Sequence, residues 1–216
     1  LLEGFRRGAL PTSAVFDIPK LASYFAVADV MGAEHGARWH NIRFYYNPVT
    51  ALLEPIGFDG NSGKLLKTIE FSRTGLAVNT LQTNTFEFFL ARIFADEAFF
   101  RVYVATLERI SKTAYLDSFF AEIDDEFKKQ MAILYREYPH FTFSQEVFRK
   151  NQAYIRTLLD PVKGMHAPFS KIDDDSLQLD LGNLQSMPLE ILHVVCKDSF
   201  LLEPAETVSL PPKKQA

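Results

Sequence analysis

One loop of the sequence collects side chains that can move protons or bind ions. The loop lies between Gly32 and Ile42, and its carboxylate, imidazole, guanidinium and amide groups belong to Glu34, His35, Arg38, His40 and Asn41. Such groups serve as general acids and bases, as phosphate ligands and as metal ligands. Asp59 is the first aspartate that follows Asp29. The candidate chemistry is therefore proton transfer, or the binding of metal and phosphate, by this loop together with Asp59.

A helix is predicted to lead into the loop. Asp17 is typical of an N-cap, Pro19 is tolerated in a first helical turn, and Gly32 is typical of a helix end. Apolar and aromatic residues fall on one face between these signals, at Leu21, Tyr24, Phe25, Ala28 and Met31. The pattern predicts one amphipathic helix that ends where the loop begins.

A β-hairpin is predicted to follow the loop. Residues 42–46 and 52–58 have the composition of two short strands, joined by a turn at an Asn-Pro dipeptide. Because a hairpin returns the chain to its starting point, we expect the side chains of Asp59 and Asn41 to face one cleft.

The second half of the chain is predicted to begin with helices. Apolar residues at spacings of three and four predict helices at 86–95, 97–112, 117–137 and 144–159. Asp117 and Ser144 are the predicted N-caps of the last two. The aromatic stripe is predicted to be core, through Phe86, Phe88, Phe89, Phe94, Phe99 and Phe100.

The C-terminal part changes to a strand pattern. Residues 177–181 alternate apolar and polar side chains, and 189–195 form a second β-rich run after a turn region. We therefore predict a small β segment over 172–210. The fold class predicted for the whole chain is α+β and mostly helical, with a short hairpin in the candidate active-site region.

Composition limits the function classes. A chain of 216 residues with 47% hydrophobic residues and 20 Phe can bury a sizeable core, so we expect one domain with a small appendage. A net charge of −4 gives no broad electrostatic basis for nucleic-acid binding. Cys196 is the only cysteine, which excludes a disulfide within the chain, and no apolar run is long enough for a membrane span.

The order of the motifs resembles the C-lobe of the CotH family, atypical protein kinases named after a bacterial spore-coat protein. That family shows a Phe-Asp helix start with a later Tyr-Phe pair, a loop Asn, a Tyr-x-x-x-Pro strand end, and a metal motif of the Ile-Pro-Trp-Asp-x-Asp type. The matching residues are Phe16-Asp17, Leu21, Tyr24-Phe25, Asn41, Tyr45-Tyr46 through Pro48, and Ile56 to Asn61. The helical segments from Phe88 to Leu107 and from Tyr138 to Leu159 are also similar, so the resemblance covers roughly residues 14 to 160.

The resemblance implies a division of the chain. Residues 1–160 would be a kinase-like C-lobe, with 16–63 as its active-site core and 86–159 as its helical bundle. The phosphate-covering loop and the nucleotide-binding Lys of an N-lobe would lie upstream of Leu1. We therefore expect the chain, which does not begin with Met, to be a fragment or a processed product.

The resemblance also implies phosphotransfer from ATP to a protein or other hydroxyl acceptor, with Mg²⁺ or Mn²⁺. The implied metal ligands are Asp59, Asn41 and Asn61. Glu34 or His35 would orient the acceptor hydroxyl, and Arg38 would pair with phosphate. A bacterial cell-surface or coat location would follow from the same resemblance.

Two positions differ from the family pattern and leave other functions open. His35 stands where the family has a loop Asp, and Asn61 stands in place of its second metal Asp. One alternative is a catalytically inactive binding or assembly module of a bacterial coat or surface structure. Another is a metal-dependent hydrolase that uses His35, His40 and Asp59. In a purely structural interpretation, Asp59 is a turn residue and Asn41 caps the loop.

Overall fold

The computed structural model describes residues 1–38, 40–69, 86–173, 176–196 and 200–213. The chain divides into two compact units, Leu1–Arg156 and Thr157–Ala216. Helices dominate the first unit, and short antiparallel strand pairs make up the second. The predicted α+β, mostly helical fold class with short hairpins is confirmed.

The helix that precedes the loop forms as predicted. After α1 (Leu2–Arg6) and a 3-10 turn (Thr12–Ala14), α2 spans Ile18–Met31. The Asp17 carboxylate accepts a hydrogen bond from the Lys20 amide at 3.0 Å, which caps the helix start. Gly32 ends the helix with a φ of 58°, a left-handed conformation that disfavours residues with a Cβ.

The predicted hairpin is present with shifted ends. Strands β1 (Arg43–Asn47) and β2 (Leu52–Ile56) are antiparallel, so the second strand ends two residues earlier than predicted. Leu53 extends the pairing on the other side of β2, because its amide donates to Val15 O at 2.8 Å and its carbonyl accepts from the Asp17 amide at 3.0 Å. The hairpin is thereby fixed to the chain that starts α2.

The core of the first unit lies between α2 and the helices that follow the hairpin. These are α3 (Phe86–Phe94), α4 (Glu97–Ile110), α5 (Thr113–Glu122), α6 (Asp124–Glu137) and α7 (Glu146–Leu159). Phe88, Phe94 and Phe99 are buried as predicted, while Phe89 and Phe100 are half-buried. The predicted core position of the Phe86 side chain lies outside the described residues.

The prediction of one helix over 117–137 is wrong. Two helices occupy this part of the chain, and they meet at Ile123. Three acidic residues, Asp124 to Glu126, form the first turn of α6, where they are favourable beside the positive end of the helix dipole.

Of the two predicted N-caps, Asp117 is inside α5 instead of capping a helix, and its carboxylate lies 2.9 Å from the Arg149 guanidinium. The Ser144 hydroxyl does accept from the Glu146 amide, at 3.2 Å, at the start of α7.

The second unit consists of two-stranded antiparallel pairs. The pairs are β3 (Met165–His166) with β6 (Gly182–Asn183), β4 (Phe169–Asp173) with β5 (Ser176–Leu179), β7 (Leu189–Ile191) with β10 (Val208–Leu210), and β8 (Val194–Cys196) with β9 (Phe200–Leu202). The run predicted as one strand over 189–195 is thus divided between β7 and β8. None of the helices in the described part of the chain combines the length and apolar character needed to cross a membrane.

Candidate functional site

Asp59 and Asn41 meet at the place where the hairpin returns to the loop, although only Asp59 also lines the adjoining cleft. The Asn41 side-chain amide donates to Asp59 Oδ2 at 3.2 Å and to the His35 carbonyl at 3.1 Å. Asn41 is buried, with 6% of its surface exposed. A buried amide with two acceptors has a fixed orientation, since a turned amide would leave polar groups unsatisfied. Asn41 therefore joins the loop to the end of the hairpin.

His35 shares the same carboxylate oxygen. Its Nε2 lies 3.3 Å from Asp59 Oδ2, and both side chains are partly exposed, at 38% and 51%. A histidine oriented by a carboxylate is a common proton-transfer arrangement. The exposed His40 ring stands edge-on to His35, with 5.2 Å between ring centroids. The cluster of His35, Asn41 and Asp59 is named the polar triangle below.

Glu34 belongs to a separate charge cluster on the same loop. Its Oε2 accepts from the Arg38 guanidinium at 3.2 Å, and its Oε1 lies 3.7 Å from Lys64 Nζ. Both carboxylate oxygens of Glu34 are thus engaged by cationic side chains. Sequence reasoning missed Lys64, because nothing in its local pattern distinguishes it from a solvated lysine.

The segment that carries Asp59 has an unusual backbone. Asp59 and Asn61 have φ angles of 43° and 47°, in the left-handed region that non-glycine residues seldom adopt. A Cβ on Gly36 would come within 2.9 Å of the Phe58 carbonyl and 3.2 Å of Gly60 Cα, so only glycine allows this close approach. Asn61 is exposed, and no hydrogen bond within the described ranges joins it to Asp59.

A cleft of about 740 Å³ opens beside the polar triangle. One wall comes from α2 and the loop, and the other from residues 55–60, with Asp59 among the lining residues. Its size is in the range of small-molecule sites, and most of its lining is apolar. Residues that line it include Lys20, Tyr24, Val27, Phe58 and Asp59.

Lys20 supplies a charge to this cleft. Its ammonium lies 2.7 Å from Glu54 Oε1, which also accepts from the Asn47 amide at 2.7 Å. The bonds from Asn47 and Lys20 lower the pKa of Glu54, and the bond to Glu54 raises the pKa of Lys20. Lys20 therefore enters the cleft as part of an ion pair.

The donor set at Asp59 fits a cation that also binds phosphate. No hydrogen bond or ion pair from the described residues engages Oδ1 of Asp59, whereas Oδ2 is shared by His35 and Asn41. Mg²⁺ typically takes one or two carboxylates and completes its shell with water and substrate phosphates. Asn41 directs its nitrogen at Asp59, so it would have to turn its amide to become a ligand. The polar triangle thus offers one carboxylate ligand.

The site is less suited to a cation whose ligands are all protein side chains than to one that also binds water and phosphate. Nowhere in the described residues do three His, Cys, Asp or Glu side chains form a group that could hold a metal. His35, His40 and Asp59, the three side chains that a hydrolase centre would use, do not form such a group in this structure.

Comparison with known proteins identifies no family for this chain. No family model matches the chain, and neither the curated proteins nor the solved structures contain a match. The resemblance to the CotH family therefore depends on the motifs quoted above alone.

Proposed function

We propose that this protein transfers a phosphoryl group from ATP to a protein or other hydroxyl acceptor, with Mg²⁺ or Mn²⁺ as cofactor. The observation that supports the proposal is the Asp59 carboxylate, which lines a cleft and is fixed through one oxygen by Asn41 and His35. The motif order that resembles the CotH family supplies the reaction class.

Asp59 has the role of metal ligand in this proposal. A divalent cation neutralises the charge of the phosphates during transfer and needs a fixed carboxylate to hold it. Asn41 positions that carboxylate through its hydrogen bond at 3.2 Å. Asn61 is proposed as a further ligand, and it makes no such contact in the described structure.

His35 is the better candidate for the residue that orients the acceptor hydroxyl. Its imidazole pairs with one oxygen of Asp59, whereas Glu34 is engaged by Arg38 and Lys64. An imidazole can act as a general base towards a hydroxyl group, and the contact with Asp59 orients the His35 ring. Arg38 and Lys64 are the nearby cations that can pair with phosphate if Glu34 releases them.

Four substitutions in the intact protein test these roles. Asp59→Asn should lower metal-dependent nucleotide affinity by about 100-fold or more, because it removes both charge and ligand from a hard-cation site. His35→Asn should leave nucleotide binding nearly unchanged and lower the transfer rate by about 10²–10⁴-fold. Glu34→Gln should have a smaller effect on the rate. Asp117→Asn is the matched control, since it also removes one carboxylate charge but on α5.

Titration calorimetry with Mg²⁺ and a non-hydrolysable ATP analogue, followed by a radiolabelled transfer assay, measures both effects. Loss of affinity in Asp117→Asn as large as in Asp59→Asn would contradict the assigned role of Asp59. A larger rate loss for Glu34→Gln than for His35→Asn would make Glu34 the orienting residue.

A binding or assembly module of a bacterial coat or surface structure is the second candidate. It is favoured by exposed apolar residues on the hairpin, where Tyr45 and Tyr46 are 52% and 50% exposed and Val49 is 92% exposed. As consecutive residues of β1, Tyr45 and Tyr46 point to opposite faces of the hairpin, so each face presents an exposed aromatic ring. Absence of nucleotide binding in the intact wild-type protein would favour this candidate over the kinase.

A further inference from the structure

Helix α7 carries two neighbouring buried amides, Asn151 and Gln152. Their exposed fractions are 1% and 3%, and each side chain donates hydrogen bonds to two main-chain carbonyls. The sequence singled out neither residue. A buried amide is costly unless it is fully paired, so the partners of each one show which segments it holds together.

Asn151 joins the end of α2 to the chain that follows Asp59. Its Nδ2 donates to the Val30 carbonyl at 3.1 Å and to the Lys64 carbonyl at 2.9 Å. Its Oδ1 accepts from the Leu66 amide at 2.9 Å. Three of the four hydrogen bonds that an Asn side chain can make are therefore used on two segments distant in sequence.

The same junction is closed by the main chain. The Gly63 amide donates to the Met31 carbonyl at 2.8 Å. The Lys64 backbone packs so closely on Gly32 that a Cβ on Gly32 would lie 1.9 Å from the Lys64 carbonyl oxygen. Residues 63–66 are thus fixed against the C-terminal end of α2.

This junction anchors one end of the segment that carries Asp59, which Asn41 also holds in its middle through the hydrogen bond to Asp59 Oδ2. The other anchor is the end of β2 at Ile56, which pairs with Arg43. Between the anchors, Asp59 and Asn61 adopt positive φ angles. Such a backbone persists only where its surroundings hold it in place, so the position of the Asp59 carboxylate depends on both anchors.

We propose that Asn151 is a positioning residue for Asp59, through which α7 sets the geometry of the polar triangle. The loss of ligand affinity expected when Asn151 is replaced rests on the phosphotransfer proposal. The loosening of the backbone expected over residues 57–66 does not depend on it.

Gln152 provides a matched control on the same helix. Its Nε2 donates to the Ile110 carbonyl at 2.8 Å and to the Lys112 carbonyl at 2.9 Å, where α4 ends and α5 begins. Gln152→Met and Asn151→Leu both replace a buried amide by an apolar side chain of similar size and leave two carbonyls without a donor. Asn151→Leu also leaves the Leu66 amide without its acceptor. Both variants should lose stability, but only Asn151→Leu loosens the anchor next to Asp59.

The experiment compares Asn151→Leu, Gln152→Met and wild type in the intact protein. Hydrogen–deuterium exchange without ligand should accelerate over residues 57–66 in Asn151→Leu, whereas Gln152→Met should accelerate exchange only around residues 110–113. Titration with Mg²⁺ and a non-hydrolysable ATP analogue should then show an affinity about 10–100-fold lower in Asn151→Leu and nearly unchanged in Gln152→Met. Asn151→Ser replaces Asn151→Leu if the latter does not fold.

The outcomes separate the two proposals. Unchanged exchange over residues 57–66 in the Asn151 variant, or equal acceleration there in both variants, overturns the positioning role. Accelerated exchange with undiminished nucleotide affinity overturns its link to ligand binding. If hydrogen exchange accelerates over residues 57–66 in the Asn151 variant but the wild-type protein binds no nucleotide, the anchor role is supported and the phosphotransfer proposal is rejected.

Discussion

The region around α2 and the hairpin differs from the surface helix α6 in what holds it. The α2 region is fixed by long-range contacts, such as the bond from the buried Tyr103 hydroxyl to the Asp29 carboxylate at 2.5 Å. Helix α6 has no buried residue, and its polar contacts are local, as in the ion pair of Lys128 with Asp124. Both α2 and α6 have helical sequence patterns, yet only α2 belongs to the core.

The difference between the α2 region and helix α6 explains why the candidate site lies beside α2. A catalytic carboxylate must be held within a fraction of an ångström, which requires support from several elements. The α2 region receives such support from α4, α7 and the hairpin. Helix α6 contributes its apolar side mainly to half-buried aromatic contacts, such as Phe127 with Phe143 at 4.9 Å between ring centroids.

The largest expected difference in stability is between two phenylalanines. Phe99 is fully buried and contacts Phe25 and Phe94, so Phe99→Ala should lower the free energy of unfolding by about 3–5 kcal/mol. Phe127→Ala, at a half-buried position of α6, should lower it by less than half as much. Urea unfolding followed by circular dichroism measures both, and equal losses would contradict the assignment of α6 to the periphery.

A smaller effect is expected at the start of α2. Asp17→Ala removes the acceptor of the Lys20 amide and should lower the free energy of unfolding by about 1 kcal/mol. Asp17→Asn, which keeps a capping oxygen, is the control and should retain most of the stability. A loss in Asp17→Asn equal to that in Asp17→Ala would assign the effect to the carboxylate charge, which lies 3.5 Å from Lys20 Nζ, instead of the cap.

Local signals in the sequence predicted the elements that build the site. Asp17 and Gly32 set the ends of α2, and the alternation after the loop indicated the hairpin, so the approach of Asp59 to Asn41 could be inferred. These features depend on residues close together in the chain, where capping and turn chemistry act directly.

Features that depend on distant residues could not be inferred. Lys64 next to Glu34 and Asn151 next to Lys64 become visible only when the fold brings α7 against the end of α2. The boundary between α5 and α6 was missed for another reason. The apolar spacing continues across Ile123, whereas the acidic run that follows it favours a new helix start.

The most direct test of the central claim is nucleotide binding by the intact wild-type protein. Titration calorimetry with a non-hydrolysable ATP analogue should give saturable binding in the presence of Mg²⁺, and binding should be lost when EDTA removes the cation. The claim that Asp59 holds a nucleotide-bound metal would be contradicted by absence of binding, or by equal affinity with and without Mg²⁺.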